Sequence, residues 1–257
     1  MPSLLATRVV EHQAHIFGKF WRSSAFAYVL NPLLFLAALG LGVGGLVKQG
    51  HGTVDGVSYL AFVTPGVMAA SAMQGAAGES LWPIMAGTKW VRTFHAMVAT
   101  PVGPGDVYLG VITWTAVRAA IGSTIFLVIA TLLGGVLSWW APLAIPAAVL
   151  TALAFAAPLA AFAATQDTDF RFPVIMRLGV VPLFLFSGTF FPVSQLPEWL
   201  QPFCWLSPLW HGVQLCRGAT TGHIDGLEAV ANVAILIAVV LAGAAWGTRT
   251  FTKKLST

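Results

Sequence analysis

A chain of 257 residues that is 57% hydrophobic and only 9% charged is no ordinary soluble domain, in which charged residues reach about 25%. Its net charge of +4 comes from 13 Lys and Arg against 9 Asp and Glu. The basic residues form no continuous stripe, which excludes a nucleic-acid surface, and no polar stretch is long enough for a separate module.

Residues 1–22 predict an amphipathic helix lying on the membrane surface. Ser3 is placed to cap it. Arg8, Glu11, His12, His15, Lys19 and Arg22 recur at three- and four-residue spacing, with Val9, Val10, Ile16, Phe17, Phe20 and Trp21 opposite. Trp21 and Arg22 then anchor the first span. Apolar runs follow at 25–47, 59–77, 107–137, 142–165, 173–192 and 227–247. Each is near or above the ~20 residues that cross a ~30 Å hydrocarbon core. The expected fold is all-α and membrane-integral: one domain over 1–257, with a surface helix at 1–22 and a six-helix bundle at 25–247. The N-terminal segment is too long and polar, and run 25–47 too long, for a cleavable signal peptide.

Ten basic residues (Arg8, Lys19, Arg22, Lys89, Arg92, Arg171, Arg177, Arg249, Lys253, Lys254) flank one face, and only Lys48 and Arg217 the other. By the positive-inside rule both termini and the 78–106 loop are cytoplasmic. Trp139, Trp140, Trp199, Trp205 and Trp210 fall at the outer boundary, with Trp21, Trp82, Trp90 and Trp246 at the inner one, an aromatic belt.

Within 78–106, residues 88–97 mix apolar and basic side chains at helical spacing and end before Pro101 and Pro104. They predict a short surface helix, with Trp90, Val91 and Phe94 as apolar anchors and Lys89 and Arg92 as charges for a partner. A plain lipid anchor is the competing reading. Asp106, after Gly103-Pro104-Gly105, is placed to cap the third span. Residues 190–226 are too proline-broken to span, so Phe190, Phe191, Pro192, Leu196 and Pro197 open a pair of short re-entrant or interfacial helices.

Chemistry-bearing motifs are few. Gly40, Gly42 and Gly45 match a dinucleotide fingerprint but lie inside an apolar helix, where Gly40 and Gly44 read as helix packing. Gly18-Lys19 lacks the remainder of a phosphate loop. No catalytic set and no metal site is expected, and Ser187-Gly188-Thr189 reads as small-residue packing. Cys204 and Cys216 are candidates for a disulfide in an oxidising exterior, with buried free thiols the favoured reading. Arg118 stands alone as an ionisable residue well inside a span. It lines a polar pathway or meets an anionic substrate group, or else it is a structural link to carbonyls or to Glu79; both readings stand. Glu79, Asp106, Asp167 and Asp169 fall at cytoplasmic ends, which argues against a proton-coupled carrier.

The stretch from Pro65-Gly66-Val67-Met68 through Gln74 and Glu79, the segment Ala99-Thr100-Pro101-Val102-Gly103-Pro104-Gly105-Asp106, and Phe186-Ser187-Gly188-Thr189-Phe190-Phe191-Pro192 through Pro197 resemble the ABC-2 family of exporter permeases. Its nodulation-factor and daunorubicin-type drug-export branches are the most similar. The resemblance spans about Phe17 to Gly247. It implies an interfacial connecting helix, six spans, a coupling helix between spans two and three, and paired re-entrant helices before span six. It also implies two permease subunits, identical or different, docked on separate ATPase subunits that hold ATP and Mg, in the cell's inner or plasma membrane. Implied substrates are amphipathic: lipid-linked glycans, lipids or drug-like molecules. A passive channel or scaffold, and a membrane enzyme acting on lipid, are the alternatives.

Overall fold

The computed structural model describes residues 3–45, 53–223 and 225–256; within them, the side chains of residues 3, 4, 20–29, 31, 32, 41 and 43 are not described. The cap expected from Ser3, the anchors at Trp21 and Arg22, and Lys48 lie outside that set.

The alanines of one helix organise the bundle. In α5 (Ala144–Thr165) Ala144, Ala148, Ala152, Ala156, Ala160 and Ala164 recur every fourth residue, and all are buried. Repeated small side chains make a seam along which neighbouring backbones approach closely, the usual basis of helix association in lipid. Helix α2 (Tyr59–Met85) and the last helix, α9 (Gly226–Leu255), occupy that seam. A Cβ on Gly243 of α9 would fall 2.7 Å from the Pro158 backbone nitrogen. The Tyr108 hydroxyl, from α4 (Pro104–Leu132), lies 3.1 Å from Ala157 O and 3.2 Å from Gly243 O, tying three helices together.

Helix α1 runs unbroken over Ser3–Ala37 and continues as a π turn, Ala38–Val43. The surface helix expected at 1–22 and the start of the first span are therefore one helix. Gly40 sits where a Cβ would touch Leu60 at 2.9 Å, whereas Gly44 faces no neighbouring helix.

Among the described residues four helices, Tyr59–Trp90, Pro104–Leu132, Ala141–Thr165 and Gly226–Leu255, are long and apolar enough to cross a membrane. Two expected boundaries shift. α2 does not end at 77: it continues to Met85 and through a π turn, Ala86–Trp90, because Leu81, Ile84 and Met85 pack in the core. The run at 173–192 yields only α6, Phe172–Phe186, about 22 Å long. Gly188, at φ 78°, turns the chain just beyond it, a conformation that favours glycine.

Past that turn come a 3-10 turn (Val193–Gln195), α7 (Gln201–Leu206) and α8 (Pro208–Thr221), a pair of short helices before α9. Trp139, Trp199 and Trp205 are exposed at this end, and Trp90 and Trp246 elsewhere. Trp82 is instead drawn inward, edge-on to Phe172 at 5.6 Å. Asp106 is not the cap of α4. The helix starts at Pro104 after Gly103, and Asp106 in its first turn accepts the Gly103 N–H at 3.1 Å.

Candidate functional site

Glu79 and Arg118 meet inside the bundle. Glu79 lies twenty residues past Tyr59, about 30 Å along α2, with about 16 Å of helix still to run to Trp90. Arg118 lies about 21 Å into α4. The Arg118 Nε stands 3.1 Å from Glu79 Oε1, and the side chains are 28% and 20% exposed. This corrects two expectations: Glu79 is not at a helix end, and Arg118 is not alone within the spans. The Gly78–Pro83 stretch reads as a loop because it is polar and proline-broken. It is helix because Leu81, Ile84 and Met85 pack in the core, and Arg118 pairs with the one carboxylate that the stretch carries into the bundle.

The pair borders a cavity of about 500 Å³ between α1, α2, α4 and α6. Ser71, Gln74, Thr115 and Ser123 add uncharged hydrogen-bonding groups to its wall, while Phe35, Met68, Phe126 and Met176 are apolar. The Phe17 ring lies 5.4 Å from the Arg118 guanidinium carbon and packs edge-on against Trp114 at 5.7 Å, so the cation is held by an aromatic face as well as by a carboxylate. Of the expectations for Arg118, the link to Glu79 is present, and the residue also borders this polar-walled space.

At the lysine- and arginine-rich end, α2 leaves its π turn at a corner. Residues 88–97 are not one helix. Arg92 takes the left-handed conformation (φ 60°, ψ 27°), and α3 (Thr93–Val98) starts only after it. Trp90 and Val91 are 56% and 68% exposed, and Arg92 is exposed beside them. Phe94 is not a surface anchor as expected. It is 3% exposed, packed against Gly87, with its ring 6.0 Å from Phe251 of α9.

Lys89 turns toward the α5–α6 loop and meets Asp167 at 2.6 Å; Lys254 of α9 reaches the same oxygen at 3.0 Å. Hydrogen bonds from Lys89 and then Lys254 hold the Asp167 carboxyl down at about 2. Phe170 of the same loop projects into the surroundings. The sequence places Asp167 at a helix end without pointing to its two lysine partners, and Phe170 carries no signal there. The available signal was an acidic pair, Asp167 and Asp169, set in the most basic end of the chain.

At the tryptophan-rich end the five residues expected to form a gate do not line the cavity, but rings connect one of them, Phe190, to it. Phe35, in the cavity wall, is edge-on to Phe184 at 6.1 Å, and Phe184 to Phe190 at 5.0 Å. Phe191, Pro192 and Leu196 are half-buried beyond it, and Pro197 is exposed. Ser187 and Ser207 join across the turn at 3.1 Å, and the Gly188 carbonyl accepts from Arg217 at 2.7 Å. The Arg217 guanidinium lies 4.2 Å from the Phe62 ring centre. Cys204 and Cys216 are free and buried, the Cys216 thiol facing the Ala144 carbonyl at 3.6 Å.

Residues 14–221 match the family described as ABC-2 type transporter. Among characterised proteins, the chain is similar to nodulation protein J of Rhizobium leguminosarum bv. viciae. The two are 34% identical over 225 residues, 86% of this chain and 83% of that protein. It is likewise 34% identical over 235 residues to nodulation protein J of Rhizobium meliloti strain 1021, covering 86% and 87%. With the Bradyrhizobium diazoefficiens protein of that name it shares 36% over 203 residues, covering 77% and 75%.

Proposed function

The chain belongs to the ABC-2 type transporter family, and from that premise we propose that it is the permease subunit of an ATP-driven exporter of amphipathic molecules. It is a multi-pass membrane protein and a transport subunit rather than a catalytic one. In our reading two permease subunits, alike or different, pair with separate ABC ATPase subunits that hold ATP and Mg. The basic end and both termini face the cytoplasm, and the cargo is a lipid-linked glycan, a lipid or a drug-like amphiphile.

The observation that carries the reading is that one helix serves two places. α2 lines the cavity through Ser71, Gln74 and Glu79, then presents Trp90 and Val91 at an exposed corner about 16 Å further along. A rigid element pressed at one end moves the wall at the other. The corner has the composition of a docking site: two exposed apolar side chains beside Arg92, with Phe170 on the neighbouring loop.

Expression together with candidate ABC ATPase subunits, followed by affinity purification and reconstitution, tests this. A bound ATPase whose hydrolysis rises with an amphiphilic substrate supports the exporter; transport that proceeds at full rate without ATP or any ATPase supports the passive channel instead. Cysteines introduced at Val91 and Trp139, labelled from one side of sealed vesicles, should report opposite faces. Labelling of Val91 from outside and Trp139 from inside would reverse the assigned orientation, and labelling of both from the same side would overturn the arrangement of the spans.

A further inference from the structure

Resting on the permease reading, we propose that the cavity at Glu79 and Arg118 selects an amphiphile whose head bears no net charge, seating a single apolar chain and a small hydrogen-bonding head. The charge count of the wall carries this. Among its described lining residues the charged ones are Glu79 and Arg118, one of each sign, 3.1 Å apart. A lone arginine facing such a space would draw an anionic head. Here the guanidinium already faces a carboxylate and lies against the Phe17 ring. An anionic head therefore brings a second negative charge beside Glu79, and a cationic head a second positive charge beside Arg118. Either leaves one uncompensated charge in a wall whose own two charges already balance, inside the bundle, where such a charge is poorly tolerated.

The remaining wall fits an uncharged head and a chain. Gln74 offers both an amide donor and an acceptor, and Ser71 and Ser123 offer hydroxyls. Phe35, Met68, Phe126 and Met176 supply an apolar side, with methionines that adapt to chains of differing shape. About 500 Å³ lies within the roughly 300–1,000 Å³ of sites for drug-sized ligands. That is room for one chain and a compact head, not for an extended glycan, whose further units must lie outside this cavity.

Three photoreactive twelve-carbon amphiphiles test the proposal, with a glycerol ether, a phosphate or a trimethylammonium head. Each is offered to the purified permease in lipid nanodiscs, and labelling of the α2 and α4 peptides is quantified by mass spectrometry. In the wild type the glycerol ether should label roughly tenfold more than either charged probe. Glu79→Gln, which leaves a net positive wall, should shift preference to the phosphate. Arg118→Gln should shift it to the trimethylammonium. The double variant is neutral again and should return to the glycerol ether. It also guards against misfolding, since it leaves no unpaired charge. Preferential labelling by the phosphate in the wild type overturns the proposal, as does labelling blind to head charge in all four proteins. The assay needs no ATPase. Charge-blind labelling with intact ATP coupling sinks the selectivity alone, and selective labelling without coupling sinks the permease reading alone.

Discussion

Two carboxylates in this protein hold basic partners at similar distances in opposite surroundings. Asp167 sits 2.6 Å from Lys89 and 3.0 Å from Lys254 with its side chain 74% exposed, while Glu79 sits 3.1 Å from Arg118 deep in the bundle. Water and salt screen the first cluster, and exposed pairs of this kind add little to stability. The second has lost most of its hydration, so each charge depends on the other, and removing either leaves a buried charge uncompensated. Distance alone does not rank them; surroundings do. The inner pair is built into the wall of a cavity, and the outer cluster is a loose tie among three elements that can open and close.

The largest expected effect is therefore at Arg118. Arg118→Leu should cost about 3–5 kcal/mol through the stranded Glu79 carboxylate, seen as a lower unfolding temperature of the purified protein, and should lower export. Arg118→Lys should recover part of both, since the charge returns without the planar fork. Replacing both partners by Leu should be milder than the single change. If the double replacement is as damaging as the single one, the pair is not the reason. If Arg118→Leu transports normally, the cavity lies off the pathway.

The next effect separates two aromatic residues four positions apart. Phe94 is enclosed between Gly87 and Phe251, so Phe94→Ala should cost about 3 kcal/mol as a core truncation. Trp90 is exposed, and Trp90→Ala together with Val91→Ala should move stability by no more than about 0.5 kcal/mol. The same pair of changes should nonetheless weaken association with the ATPase or uncouple hydrolysis from export. Normal coupling in that double variant would leave Trp90 and Val91 as membrane anchors and move the contact elsewhere, with Phe170 the first place to look.

How far these sites could be read in advance follows from what each depends on. Helices α4, α5 and α9 lie close to their apolar runs because burial in lipid depends on composition. The paired short helices after Gly188 were legible because proline and glycine break a span whatever surrounds them. The end of α2 was not legible: Gly78–Pro83 looks like a loop until Leu81, Ile84 and Met85 pack in the core and Arg118, on another helix, pairs with Glu79. Residues 88–97 misled in the reverse way. Their spacing is helical, yet Arg92 turns the backbone because Phe94 is pulled onto Phe251 of α9, more than 150 residues away. Arg118 and Glu79 as one of its candidate partners were recognisable in the sequence; the cavity that the pair borders was a tertiary fact.

The smallest effect tests the outer tie. Asp167→Asn removes the acceptor shared by Lys89 and Lys254 and, at neutral pH and ordinary salt, should leave the unfolding temperature unchanged within error. Its signature lies in acid. The folded carboxyl is held at about 2, below its ordinary 3.8, by hydrogen bonds from the two lysines. A depressed folded value means that the tie contributes fully above the ordinary value, and that the contribution fades as pH falls from there through about 2. The wild type should thus lose a small increment of stability across that window, and Asp167→Asn should lack it. If the tie also restrains the corner that carries Trp90, the variant should show faster backbone hydrogen exchange at residues 86–92 at neutral pH, most clearly at low salt where screening is weakest. Identical exchange in both proteins would leave Asp167 as surface charge alone, and the corner would then be held by Phe94 and its packing on α9.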